Sequence, residues 1–341
     1  MLKKFSVITL VMFFCQVFLT GINTFIGIFS FITILFFLIV QIRILSKVRL
    51  EHSYRAVFII SKCTYVFGLF CCWSLYYFIS NYQNQIVTSL STLRDLGNVG
   101  IYYKMNTVII PALAYLLIKT VMKSKKSKFV ILSLTFACCS AASVFTLSKA
   151  PIISFFILIL GIFNLRWYVY GIGTALSILI LSVIYKFRGQ SEDIGEVLEL
   201  VIYRFPLFIE LQDTFNYLGE RLFIDYTQLE RFSAYVTENV FGRDSRYVGI
   251  APGTPSSFIL IFSVFSPFAF VLILEGIKNL INTLSKKNQI GFIAASLISF
   301  EIFHSLIDGL PHFYTSTNNG LFFWGILGLT LISFIYGKER A

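Results

Sequence analysis

The sequence has few charged residues and few residues that interrupt helices. Only 13% of its 341 residues are charged, against about 25% in soluble domains. It contains only 17 acids, seven prolines and three histidines. Because a folded surface needs charge to stay dispersed in water, this shortage excludes a soluble enzyme, a disordered chain and a disulfide scaffold.

Several motifs of catalysis and binding are also missing. There is no Walker loop, dinucleotide glycine fingerprint, His-Glu-x-x-His helix or Gly-x-Ser-x-Gly elbow. No Asp-x-Asp pair occurs, which argues against a metal-dependent sugar-nucleotide transferase. The six cysteines lie in apolar runs without metal-ligand spacing, so we expect buried free thiols and predict neither a metal nor a cofactor.

Long apolar runs dominate the chain instead. Hydrophobic residues make up 57% of it and the mean hydropathy is +0.79. Because the apolar residues come in long runs and do not alternate with polar ones, an outer-membrane barrel is excluded. The runs predict an all-α polytopic membrane protein. The first run resembles a signal peptide, but no cleavage site follows, so we interpret it as an anchor. We predict ten membrane spans, at 5–21, 24–41, 62–81, 100–119, 128–148, 150–165, 167–186, 256–277, 289–308 and 319–336.

The net charge of +11 fits membrane topology better than nucleic-acid binding. If the N-terminus is cytoplasmic, alternating spans place most basic residues and few acids on the inside, and both termini are then cytoplasmic. This orientation depends on the separation of 128–148 from 150–165. A merged span would invert the topology of everything downstream.

One long outer loop divides the chain into spans one to seven (1–186), the loop (187–255) and spans eight to ten (256–341). The loop carries 11 acids and six arginines but no lysine. Its segment 194–211 is amphipathic, which predicts a helix, broken near Pro206, that lies on the membrane surface or caps the bundle. We expect a second helical stretch over 213–240.

The ninth span carries the clearest candidate for chemistry. Glu301, His304 and Asp308 are spaced to share one face of its outer half, and His312 follows. A carboxylate beside a histidine in a membrane suits an oriented general base. The alternative is a polar stripe that fixes this helix to a neighbour, or residues at the headgroup level.

Arginines of the outer loop form a second candidate site. Arginine binds phosphate through two hydrogen bonds and stays charged in a low dielectric. Four of the six flank the membrane, so we rank them highest as candidate phosphate ligands: Arg188, Arg204, Arg243 and Arg246. The alternative is that they pair with the acids of the same loop.

Two further features concern phosphate. Thr254 fits a helix N-cap and Pro255 the first helical position, so span eight should begin there with its positive end near the arginines. Lys149 lies in a short outer turn, where it contacts either a substrate phosphate or lipid. An ordinary helix start is the alternative for Thr254.

These features together resemble one family. The ten spans, the late outer loop, the TLSKAP turn at 146–151, the APGTPSS segment at 251–257 and the Phe-, Ile- and Lys-rich composition are similar to bacterial O-antigen polymerases, the Wzy-type polymerases of oligosaccharide repeat units. The resemblance implies a GT-C-like helical fold in the inner membrane. It also implies metal-independent glycosyl transfer at the periplasmic face in lipopolysaccharide biosynthesis.

The resemblance further implies the substrates and partners. The donor and the acceptor would both be oligosaccharides on undecaprenyl pyrophosphate. Membrane lipid and a chain-length regulator protein would be partners, and no nucleic acid would bind. The family's essential arginines would correspond to Arg188, Arg204, Arg243 or Arg246. Because residues 187–255 contain no histidine, a ligase-type base is missing there, which moves the base to His304, Asp308 or His312. A flippase of lipid-linked oligosaccharide and a sugar O-acyltransferase are the alternatives.

Overall fold

The computed structural model describes residues 10, 13–14, 17, 21–22, 24–50, 58–85, 99–146, 150–163, 179, 208–220, 232–240, 254–308 and 317–336. Helices make up almost all of these residues, and no strand occurs among them. The all-α prediction is therefore confirmed for the described part of the chain. The predicted spans 5–21 and 167–186 lie mostly outside it.

The first half contains six α-helices and one π-helical turn within the described ranges. Their order agrees with the spans predicted between 24 and 165. The helices are α1 (Phe25–Leu45), α2 (Phe58–Gln85), α3 (Val99–Lys104), α4 (Ile110–Thr120), α5 (Lys125–Thr146) and α6 (Ala150–Ile162), and the π segment (Met105–Ile109) joins α3 to α4.

The second half contains six more described helices. Two of them lie in the predicted outer loop, which is therefore partly helical. They are α7 (Phe208–Glu220), α8 (Phe232–Asn239), α9 (Thr254–Phe262), α10 (Ser266–Lys287), α11 (Gln289–Asp308) and α12 (Thr317–Ile335), with a 3₁₀ turn (Ser263–Phe265) between α9 and α10. The bounds of α11 match the predicted span 289–308.

The outer surface of the bundle is apolar. Among the described residues, five helical stretches are long and apolar enough to cross a membrane. Phe25, Val264 and Ile335 are at least 80% exposed. Such a surface requires a lipid environment, because exposing so much apolar area to water would be strongly unfavourable. The helices therefore indicate a membrane protein, whereas the count of ten spans and the orientation stay predictions.

Helices α5 and α6 form an antiparallel hairpin. The backbone N–H of Ile152 donates to Ser143 Oγ at 3.3 Å, and the rings of Phe136 and Phe155 lie 5.2 Å apart. Ile152 belongs to the first turn of α6, whose N–H groups have no partner within their own helix. The segment is therefore two helices, and a merged single span is excluded.

The span predicted at 256–277 is part of a longer stretch that is broken. Residues Thr254–Lys287 are 34 in number, about 51 Å of helix against a hydrocarbon core of about 30 Å. The break falls at the 3₁₀ turn, where Ser263 has a φ of 47°. Pro267 follows in the first turn of α10, where its missing N–H costs no hydrogen bond. Helix α9 is thus a separate buried helix.

Asn288 alone separates α10 from α11 and ties this turn to α12. Its Oδ1 accepts from the N–H of Gly291 and from Ser333 Oγ, and its Nδ2 donates to the carbonyl of Ser333 at 2.8 Å. A Cβ on Gly291 would lie 2.5 Å from the carbonyl oxygen of Leu284. Only glycine lets the two helices approach so closely.

Helix α7 packs on the membrane bundle. Leu211 is buried in one cluster with Ile34 and Leu38 of α1 and Ile259 of α9. Of the segment 194–211, which the sequence predicts to lie on the membrane surface or to cap the bundle, the structure describes only residues 208–211, at the start of α7. The stretch predicted to be helical at 213–240 contains most of α7 and all of α8. Residues 194–207 lie outside the described part.

Candidate functional site

A buried ion pair joins the first half of the chain to the second. Lys104 Nζ lies 2.6 Å from Glu301 Oε1. Lys104 is 6% exposed and Glu301 is 3% exposed. Lys104 ends α3 and Glu301 lies in the second half of α11, so the pair connects α11 to the helix that contains the π segment.

The pair lies well inside the bundle. Glu301 follows Asn288 by 13 residues, about 20 Å along an α-helix. A single charge buried among apolar helices is costly, and each member of the pair offsets the charge of the other.

The π segment begins directly after Lys104. The N–H of Ile110 bonds to the carbonyl of Met105, five residues before it. Pro111 explains this turn, because a proline has no N–H and its ring clashes with the carbonyl four residues earlier. Widening the turn relieves that clash. Single π turns inside α-helices are frequent at functional sites.

Uncharged polar groups continue the site from the π segment toward α2 and α5. Asn106 accepts from Ser74 Oγ at 2.9 Å and donates to the carbonyl of Tyr102 at 2.8 Å. Cys139 Sγ lies 3.4 Å from the carbonyl oxygen of Asn106. All four side chains are buried. The ion pair therefore lies beside a hydrogen-bonded polar layer and does not stand alone in an apolar core.

An aromatic cluster holds the α3 end of the site. The ring of Tyr102 lies 4.7 Å from that of Tyr77 and 5.5 Å from that of Phe145. Trp73 stacks on Tyr77 at 5.2 Å. Large rings packed in this way restrict the backbone that presents Lys104 two residues later.

Among the predicted catalytic residues, the structure describes the side chain of Glu301 alone. Helix α11 is continuous through His304 and Asp308, so their spacing places them on the face that carries Glu301. Their side chains, like His312, lie outside the described part. The predicted phosphate ligands Arg188, Arg204, Arg243, Arg246 and Lys149 also lie outside the described residues.

Two smaller predictions fall on described residues. The described part of helix α9 starts at Thr254, where the Thr-Pro pattern predicts a helix start, and residues 254–260 are buried; the residues before it, 251–253, lie outside the described part. Of the five described cysteines, four are buried free thiols, whereas Cys72 is exposed. The prediction that all cysteines are buried is therefore wrong for Cys72, because it lies on the face of α2 that points away from the bundle.

Sequence reasoning missed Lys104. The signal was present, because this lysine lies inside the predicted span 100–119, and an ionisable residue within an apolar span indicates a functional or paired group. Glu301 carries the same signal within the ninth span, but no local pattern shows that the two residues pair, since they lie 197 positions apart.

Comparisons of this chain with protein-family models, with curated proteins and with solved structures found no match.

Proposed function

We propose that this protein joins oligosaccharide repeat units carried on undecaprenyl pyrophosphate into a longer polysaccharide, at the outer face of a bacterial inner membrane. The observation that carries the proposal is the buried Lys104–Glu301 pair, which fixes within the bundle the helix that continues through His304 and Asp308. The resemblance of the sequence to O-antigen polymerases, with its GT-C-like arrangement, supports the same reaction.

The reaction transfers a glycan from one lipid carrier to another. A hydroxyl of the acceptor sugar attacks the anomeric carbon of the donor glycan, and a new glycosidic bond forms. The bond between that carbon and pyrophosphate breaks, and undecaprenyl pyrophosphate leaves with the electron pair. The hydroxyl proton passes to a base of the protein. No metal is required if positive side chains stabilise the leaving pyrophosphate.

The ion pair changes the role that we assign to Glu301. Its Oε1 is engaged by Lys104 Nζ at 2.6 Å, so the carboxylate is oriented by the lysine. Such a group positions a helix better than it accepts a substrate proton. We therefore assign the general base to His304 or Asp308, one and two turns further along α11, and positioning to Glu301.

We assign substrate binding to the residues that flank the outer end of the helical bundle. Arg188, Arg204, Arg243 and Arg246 would hold the pyrophosphates, Lys149 would contact a phosphate from the α5–α6 turn, and His312 would contact the glycan. Helix α7, packed on α1 and α9, provides a surface at which a lipid-linked chain is held.

The test is a reconstituted reaction. Purified protein in liposomes receives undecaprenyl-pyrophosphate-linked repeat units, and gel banding with mass spectrometry follows the product. We expect a ladder of glycans and release of undecaprenyl pyrophosphate. Arg243→Ala and His304→Ala should abolish the ladder, whereas Arg49→Ala, at an exposed position outside the predicted site, should leave it intact. A ladder of wild-type length from both site variants would refute these roles.

A transporter of lipid-linked oligosaccharide is the second candidate. Charges buried between helices near an irregular turn also occur in transport pathways, and Lys104 and Glu301 beside the π segment fit that description. The same liposomes separate the two functions. Repeat units that become accessible to an external glycosidase, with no ladder formed, would support transport and contradict polymerisation.

A further inference from the structure

A polar groove lies along the last two turns of α10. It has a volume of about 580 Å³ and is lined by Asn279, Asn282, Thr283, Lys286 and Lys287. These residues recur every three to four positions, so they share one face of the helix. None of the five is acidic. The groove therefore combines amide and hydroxyl groups with two ammonium groups.

The chain that follows α1 is fixed beside this groove. The backbone N–H of Arg49 donates to Asn282 Oδ1 at 2.8 Å, and Asn282 Nδ2 donates to the carbonyl of Lys47 at 3.2 Å. Ser285 Oγ donates to the carbonyl of Arg49 at 3.1 Å. These bonds bring two more exposed basic residues, Lys47 and Arg49, to the same end of the bundle.

Helix α12 contacts the other edge of the groove. Lys287 Nζ lies 3.7 Å from the centroid of the Phe334 ring, a cation–π contact that orients the ammonium group. The C-terminal end of α10 contributes about half a negative charge, which is less than the two positive charges of Lys286 and Lys287. The groove therefore keeps a surplus of positive charge.

Apolar surface adjoins these charges. Phe334 and Ile335 are 45% and 80% exposed at the end of α12. A ligand that matches both surfaces has an anionic phosphate and an acyl chain. Free phosphate would use only the lysines, the Asn279 amide and the Thr283 hydroxyl, and would leave the apolar strip uncovered.

We propose that this groove binds the phosphate headgroup of an anionic phospholipid, whose acyl chain lies along the end of α12. Basic pockets between membrane helices bind acidic headgroups in this way. The site is separate from the Lys104–Glu301 pair and is independent of the function proposed above.

Native mass spectrometry of the full-length protein, titrated with phosphatidylglycerol, tests the proposal. Wild type should retain a lipid adduct, and the double variant Lys286→Gln/Lys287→Gln should bind about 30-fold more weakly. The matched control Lys125→Gln/Lys126→Gln loses the same charge at exposed positions that do not line the groove, and should bind as wild type. Lys286→Arg/Lys287→Arg should retain binding.

Three outcomes would overturn the proposal. Equal weakening in the Lys125/Lys126 control would mean that overall charge alone attracts the lipid. Equal retention of phosphatidylcholine would remove the requirement for an anionic headgroup. Displacement of the lipid by millimolar inorganic phosphate would identify a free anion as the ligand. The Lys286→Gln variant alone, which keeps the Lys287–Phe334 contact, separates loss of charge from loss of packing.

Discussion

Lys104 and Glu301 form an ion pair across 197 positions of sequence, with 2.6 Å between Nζ and Oε1. Both groups are almost fully buried in a bundle whose outer surface is apolar. The contact therefore sets how α11 lies against the helix that carries the π segment.

Removing one member of this pair should destabilise the protein strongly. Glu301→Gln or Lys104→Met leaves one uncompensated buried charge or forces it to neutralise, a cost of about 3–5 kcal/mol. The double variant Lys104→Met/Glu301→Met replaces both charges with apolar groups and should recover most of the loss. Apparent melting temperatures of the purified protein in detergent measure this cycle.

The double variant also separates stability from activity. If the pair only supports the fold, the double variant should be stable and form polymer in liposomes. If it positions α11 for the reaction, the double variant should be stable but inactive. Additive losses in the two single variants, with no recovery in the double, would contradict the coupling that the 2.6 Å contact implies.

Gly291→Ala should destabilise the α10–α11 hairpin. The new Cβ would lie 2.5 Å from the carbonyl oxygen of Leu284 and 2.6 Å from Ser333 Oγ, so the helices must separate. We expect a loss of about 1–3 kcal/mol. Gly276→Ala is the control, because no atom lies within 4 Å of its Cβ position, and it should be neutral or stabilising by up to about 1 kcal/mol. Similar melting temperatures for both variants would contradict the close approach.

Asn288→Ala should weaken the contact of α12 with the α10–α11 hairpin. The variant loses the hydrogen bonds to Gly291 and Ser333 and leaves their buried groups unsatisfied, at about 2–4 kcal/mol in total. Asn288→Asp keeps the acceptor and should lose less. Asn279→Ala, at an exposed position on α10, should have little effect in the same melting assay. The prediction fails if Asn279→Ala and Asn288→Ala lower the melting temperature equally.

Single cysteines should report the predicted orientation. A membrane-impermeant maleimide should label Ser124→Cys and Lys286→Cys from the cytoplasmic side, because the positive residues flank those positions. Asn216→Cys, at an exposed position of α7, should be labelled from the opposite side. Labelling of Ser124→Cys and Asn216→Cys from one side would show that the count of spans between them is wrong.

Apolar runs predict the helices well. The span predicted at 289–308 coincides with α11, and that at 24–41 lies within Phe25–Leu45 but for its first residue. Lipid leaves the backbone no other partner than its own helix, so a long apolar run allows little choice of structure. The short TLSKAP turn is equally informative, since α5 and α6 are separate helices on its two sides.

Prolines carry the signals that the span count overlooked. Pro111 lies within the predicted span 100–119 and accompanies the π segment, and Pro267 follows the break at Ser263. Both are visible in the sequence, because a proline within a helical pattern ends or kinks the helix before it. The pairing of Lys104 with Glu301 has no such signal. Each residue is visible as an ionisable group within an apolar span, but no local pattern shows that the two meet, since this depends on how distant helices pack.

The order of synthesis gives the ion pair a consequence for biogenesis. Lys104 leaves the ribosome 197 residues before Glu301, which corresponds to about 10–40 s at bacterial and eukaryotic elongation rates. During that interval the helix with the lysine has no carboxylate from α11 to pair with. It must stay near the insertion machinery or at the membrane surface until α11 is made. A nascent chain truncated before α11 should therefore be a substrate for membrane quality control, although every helix before that point is complete.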